Sequence, residues 1–93
     1  MRTIRQTTAF KRDLKREFKG QHRKRLAENF LQVIESLASD QPLEERYRDH
    51  ALSNNWQGFR DCHIRPDLIL IYAKPDEETL ELIRLGSHSE LSL

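Results

Sequence analysis

The chain has 93 residues, 33% charged and 37% apolar, enough for one compact domain with one small core and too few for two. Net charge is +1, but residues 1–25 carry ten Lys/Arg against Asp13 and Glu17, whereas residues 26–45 carry five acids and no base. There is no apolar run of the roughly 18 residues a membrane span needs, the Met1–Arg5 start has no apolar segment behind it, and Cys62 stands alone without a disulfide partner. These features predict a cytoplasmic protein with no membrane association.

In chain order, Arg2 to Thr7 reads as a short strand with Ile4 as its apolar member. A helix is predicted from Thr8 to Lys19, with Phe10, Leu14 and Phe18 on one side, Thr7 or Thr8 as the cap, and Gly20 as the stop. A second runs from His22 to Ser39, with Leu26, Phe30, Val33, Ile34 and Leu37 at helical spacing and Ser39-Asp40-Gln41-Pro42 ending it. Beyond Pro42 the periodicity becomes extended. Tyr47 to Leu52 is a short strand or irregular edge, and Ser53-Asn54-Asn55 is a turn.

Gln57 to Ile64 alternates, with Phe59, Asp61 and His63 on one face and Arg60, Cys62 and Ile64 on the other. After a tight turn at Arg65-Pro66-Asp67, Leu68 to Tyr72 has the continuous apolar character of a strand covered on both faces. Lys74 to Glu78 forms the next turn and Thr79 to Leu85 the last strand. The expected fold is a single α+β domain over residues 1–93, two N-terminal helices packed on a small, mostly antiparallel sheet.

Five polar residues in the second half have no role in that pattern: His50, His63, Asp67, Arg84 and His88. The turn at Arg65-Pro66 brings His63 near Asp67, and Gly86 lets the chain bend before His88. Imidazoles exchange protons near neutrality, and a guanidinium offers a planar fork to phosphate oxygens. Together they meet the needs of RNA cleavage through the 2′-hydroxyl: a base, an acid and a cation for the charge on phosphorus.

Each residue also has an ordinary reading. A histidine in a small domain is usually a surface residue, Asp67 suits a turn, and Arg84 can pair with a nearby acid. A zinc site of His50, His63, Asp67 and His88 is chemically possible, but the spacing matches no compact metal motif, so no metal or other cofactor is expected. Trp56 is read as a core anchor rather than a base-stacking platform, and His22 as part of a solvated face. Lys11, Arg12, Lys15, Arg16, Lys19, Arg23, Lys24 and Arg25 are the candidates for contact with RNA phosphates, although a charge run by itself is most often a solvated face.

The stretches Tyr47-Arg48-Asp49-His50-Ala51-Leu52, Trp56 to Tyr72 and Arg84-Leu85-Gly86-Ser87-His88-Ser89-Glu90-Leu91 resemble the YafQ branch of the RelE/ParE toxin superfamily. The resemblance covers the whole chain and is diagnostic from residue 47 onward. It implies a metal-free, ribosome-dependent endoribonuclease that cuts mRNA, meets ribosomal RNA with its basic surface, and is silenced by a DinJ-like antitoxin. At the matching positions it places His50, His63, Asp67, Arg84 and His88 in the active site. Because His88 follows the Gly86 bend, which can aim its side chain into a cleft, it is expected to be the general acid, with His63 or Asp67 as base, Arg84 stabilising the charge on the phosphate and His50 orienting a partner or the phosphate. Members often carry an aromatic where this chain has Leu68, and another after the leucine that follows the last histidine, where Ser92 follows Leu91 here. Two other readings compete: a ParE-like, non-enzymatic inhibitor of DNA gyrase, and a basic RNA-binding module without catalysis. Neither has a use for the C-terminal histidines.

Overall fold

The computed structural model describes residues 1–19 and 23–93, without the side chains of residues 23–25. The elements are β1 (Thr3–Gln6), α1 (Thr8–Glu17), α2 (Arg23–Ala38), a 3-10 turn at Glu45–Tyr47, β2 (His50–Ala51), a 3-10 turn at Asn54–Trp56, β3 (Arg60–Arg65), β4 (Leu68–Ala73) and β5 (Thr79–Gly86). The strands form one sheet in the order β1-β5-β4-β3-β2. All neighbours are antiparallel except β1 with β5, whose parallel pairing sets Thr3 opposite Thr79. Two helices on a mostly antiparallel sheet is the predicted α+β architecture.

Local chemistry explains the boundaries. Thr7, the last residue of the predicted strand, lies outside β1 because its hydroxyl caps α1, accepting the Phe10 amide at 2.9 Å. The same hydroxyl donates to the Ile83 carbonyl at 2.7 Å, which fastens the helix start to β5. At the end of α2, Asp40 takes a left-handed conformation (φ 55°) and its carboxylate collects Arg2 and Lys74, at 2.8 and 2.7 Å. The predicted helix stop at Gly20 and the solvated His22 lie outside the described residues.

The sheet has two covered faces. Cys62, Ile64, Leu68, Leu70, Tyr72, Leu80, Leu82 and Leu85 meet Phe10, Leu26, Phe30, Val33, Ile34 and Leu37 from the helices. Phe10 and Phe30 stack with ring centroids 6.0 Å apart and join the helices to each other. On the opposite face Ile69, Ile71 and Leu91 are buried, with Leu52, Trp56, Phe59 and Ile83 packed against them. Loops, not helices, cover this second face. That is why β4 reads as apolar throughout and why Trp56 is a packing residue, edge-on to Phe59.

Two expected strands are shorter than the alternation suggested. Tyr47 is buried in a 3-10 turn, Arg48 is left-handed (φ 47°), and only His50 and Ala51 pair with β3. Gln57 to Phe59 stay outside β3, since Gly58 turns at φ 93°, a conformation glycine adopts without strain. Leu70, fully buried at the centre of the main core, sets the scale of packing here. Leu70→Ala should lower unfolding stability by about 2–5 kcal/mol, measured by urea denaturation.

Candidate active site

The sheet register puts the polar residues on two adjacent rungs. One rung runs His50, Asp61, Ile71, Arg84 across β2, β3, β4 and β5; the next on the same face, two residues along, runs His63, Ile69, Gly86. Residues 61 and 63 share a face because strand side chains alternate with period two, and that face is the one turned away from the helices. Gly86 ends β5, and the turn after it carries His88 back over the second rung. Three imidazoles therefore stand in a line. The ring centroids of His50 and His63 are 6.4 Å apart and those of His63 and His88 are 5.3 Å apart.

The outer two rings are oriented by their Nδ1 atoms. His50 Nδ1 is 2.8 Å from the Arg48 carbonyl, which only accepts, so this nitrogen carries a hydrogen. His88 Nδ1 is 2.7 Å from Asp67 Oδ1, and the His88 backbone N–H donates to the same oxygen at 3.1 Å. Asp67 thus hydrogen-bonds to His88, while His63, across the turn, lies near enough to act on it through charge. These bonds hold the exposed Asp67 carboxyl below its ordinary range, so it remains ionised at neutral pH.

Asp61 lies beneath the line of rings and is only 3% exposed. Its Oδ1 is 3.0 Å from His50 Nδ1, yet that hydrogen is aimed at the Arg48 carbonyl, and Oδ1 is buried without a hydrogen bond. Burial raises the Asp61 carboxyl above its ordinary range, opposed by His50, His63 and His88. Sequence reasoning placed this residue on the face of His63 and gave it no role. The strand period was the signal that could have found it.

Arg84 is not drawn into the imidazole group. It sits three strand spacings, about 14 Å, from His50 along its rung. Its Nε donates to Asp13 Oδ2 at 2.6 Å and an Nη donates to Asp13 Oδ1 at 3.3 Å. Asp13 is 1% exposed and also accepts from the Leu85 amide at 3.0 Å and from Arg16 at 3.3 Å. Burial alone would raise this carboxyl, but the bonds from Arg84 and Leu85, with the charges of Arg84 and Arg16, hold it below its ordinary range.

A cleft of about 630 Å³ opens at the end of β3, lined by His63 and His88 with Asn29 of α2, Tyr47, Ile64 and Pro66, and by Arg46, Arg48 and Arg65. Those three arginines were missed. They fall in a part of the sequence where Asp49, Asp61 and Asp67 nearly cancel their charge, and only folding gathers them around one cleft. Of the N-terminal candidates, Lys11, Arg12, Lys15 and Lys19 are exposed, whereas Arg16 is engaged with Glu17, Glu90 and the Leu85 carbonyl. Arg23, Lys24 and Arg25 open α2, and their side chains lie outside the described atoms. The two aromatic-for-aliphatic departures differ in setting. Leu68 is buried in the main core, and Ser92 is exposed at φ 57°. Among the described residues, no group of three or more His, Cys, Asp or Glu converges to hold a metal ion.

Residues 2–93 match the family described as "Bacterial toxin of type II toxin-antitoxin system, YafQ". A "Putative toxin YafQ" of Haemophilus influenzae is 39% identical over 71 residues, 73% of this chain and 70% of that one. An "mRNA interferase toxin YafQ" of Escherichia coli is 46% identical over 50 residues, so the match spans 53%, about half, of that relative's length. Among solved structures, a metal-bound toxin from Helicobacter pylori superposes with a TM-score of 0.84 at 42% identity over 98% of this chain and 99% of that one. The toxin of the E. coli DinJ–YafQ complex gives 0.79 at 31% over 98% of each chain.

The buried Asp13 cluster is directly testable. Asp13→Ala would strand the Arg84 guanidinium and the Leu85 amide, and should cost about 3–5 kcal/mol of unfolding stability. Because the native carboxyl lies below its unfolded value, the stability it contributes should be complete above about pH 4 and be lost as pH falls through the native value. Urea unfolding of both proteins between pH 7 and 3 checks this, with the difference between them narrowing at the acid end.

Proposed function

Since the chain belongs to the YafQ family of type II toxin–antitoxin toxins, we propose that it is an mRNA interferase, cutting mRNA on the ribosome by acid–base chemistry with no bound metal. The observation that carries this reading is the pair of imidazoles, His63 and His88, facing one arginine-lined cleft with His88 oriented through Nδ1 by Asp67. The E. coli relative named an mRNA interferase supports it.

In this reading His63 accepts the proton of the 2′-hydroxyl, whose oxygen attacks the adjacent phosphorus. The P–O5′ bond breaks, His88 delivers a proton from Nε2 to the departing 5′-oxygen, and a 2′,3′-cyclic phosphate remains. Asp67 is assigned to His88 because a carboxylate already accepting two bonds from that residue is a weak base. His50 orients the ring row. Arg48 and Arg65 supply charge inside the cleft, and Arg84 supplies it from the end of the row with a guanidinium fixed by Asp13. The exposed Lys11, Arg12, Lys15 and Lys19, joined by Arg23, Lys24 and Arg25, hold ribosomal RNA electrostatically.

The natural restraint on such an enzyme is an antitoxin protein, DinJ-like by analogy with the E. coli complex. An acidic segment laid over the basic N-terminal helices or over the cleft would associate quickly and with strong salt dependence. Catalysis takes place in the cytoplasm, where ribosomes are.

Single-turnover cleavage of mRNA on programmed ribosomes tests the assignment. His88→Ala should slow cleavage by about 10²–10⁴-fold, while ribosome affinity and the melting temperature hardly change. Arg84→Ala should slow cleavage too, with loss of stability because it uncouples Asp13. Chelator should leave the wild-type rate unchanged. Near-normal cleavage by His88→Ala, or a rate that vanishes with chelator and returns with zinc, would overturn the proposal.

A further inference from the structure

The mechanism above makes no use of the most deeply buried carboxylate on the imidazole face. Asp61 is 3% exposed and paired across the sheet with His50 on one side and Ile71 on the other, so the strands themselves hold it in place. A structural aspartate in such a position would be saturated with hydrogen bonds, as Asp13 is, with four donor atoms around it. Asp61 Oδ1 is instead buried without one, 3.0 Å from a ring nitrogen of His50. Leaving a buried oxygen unsatisfied costs about 1–3 kcal/mol in general. An isosteric amide would avoid the additional cost of a buried charge.

We infer that Asp61 is a positioning residue, a buried negative charge under the row His50, His63, His88 that holds the rings in their catalytic protonation state. This rests on the nuclease reading of the same site. The charged or titratable groups facing Asp61 are His50 from β2, His63 from β3, His88 from the turn after β5, and Asp49 from the approach to β2. Three of the four attract its negative charge, and they span both ends of the proposed proton path. Asp49 does not cancel this, being occupied by the Tyr72 hydroxyl and by Arg60. A carboxylate fixed below the rings favours the imidazolium form, which the departing 5′-oxygen needs, and it does so without entering the cleft, which Asp61 does not line. Burial opposes the ionised carboxyl and pushes it above its ordinary range, so the folded protein pays for this charge in stability.

Asp61→Asn keeps the shape and removes the charge. Two measurements on the full chain, side by side with wild type, test the inference. The first is the pH profile of single-turnover cleavage on programmed ribosomes. The variant should be slower by about ten- to a hundred-fold, a part of a full acid–base contribution. Its alkaline limb should move about 1–3 pH units lower, as loss of a nearby opposite charge requires, and the ribosome concentration for half-maximal rate should be unchanged. The second is thermal unfolding, independent of activity. Since the ionised side chain is disfavoured by folding, the variant should melt higher than wild type at pH 7. That gain should shrink as pH falls through the folded value and be gone only below about pH 4, where the carboxyl becomes protonated in the unfolded state as well.

A slower variant with a displaced limb and a higher pH 7 melting point establishes the inference. Cleavage at the wild-type rate with an unmoved limb overturns it. So does a variant that melts lower at pH 7, because Asp61 is then a structural residue. Failure of wild type itself to cleave would instead strike the nuclease reading, and this inference would fall with it.

Discussion

Much of this small fold depends on one buried carboxylate. Asp13 lies on the inner side of a helix otherwise rich in Lys and Arg, and it receives Arg84, Arg16 and the Leu85 amide at once. Those bonds dock α1 on β5 at the place where the register of β5 against β4 shifts, between Leu82 and Arg84. The irregularity frees the Ile83 carbonyl for the Thr7 hydroxyl. A helix start, a strand irregularity and a buried ion pair therefore stabilise one another, and β5 is fixed just before it delivers Gly86 and His88. Gly86 suits the junction by its size: a Cβ there would stand 3.1 Å from an Arg16 nitrogen and 3.2 Å from a Glu90 oxygen.

The candidate site follows from the sheet having two unlike covers. Helices seal one face with a continuous apolar layer. Loops seal the other with a smaller cluster around Ile69, Ile71 and Leu91, which reaches only part of the way toward β2. Beyond its edge the same strand face turns polar, and His50, Asp61 and His63 occupy the positions that apolar side chains hold further in. The apolar floor lowers the local dielectric beneath the rings, so charges there interact more strongly than on an open surface. Reactive groups thus stand on strands that packing holds rigid, with only His88 and Asp67 supplied by turns.

The sequence made some of this legible and hid the rest, for physical reasons. The stripe Leu26, Phe30, Val33, Ile34, Leu37 and the unbroken run at Leu68 to Tyr72 announce their elements because burial on one or two sides leaves a periodic record. The histidines stood out for lacking any place in that record. Hydrogen-bond partners were not legible. Asp67 is four residues from His63 and pairs with His88, twenty-one residues away, because the turn after β5 folds over the neighbouring rung. Arg84 pairs with Asp13 across most of the chain, and nothing local marks either residue. The cleft arginines Arg46, Arg48 and Arg65 were masked by averaging, since charge summed along a chain says nothing of which charges line the same cleft.

The parallel pairing of the first strand with the last has a consequence for how the molecule comes into being. Thr3 meets Thr79, so β1 waits for almost the whole chain before it has a neighbour. Closing so long a loop is entropically costly and slow compared with forming either helix. A nascent chain ending before β5 lacks at one stroke the partner of β1, the arginine that satisfies Asp13, and the last imidazole of the row. Vectorial synthesis then makes assembly of the site nearly all-or-none. While the chain is still growing, the cleft lacks His88 and the strand that carries it into place.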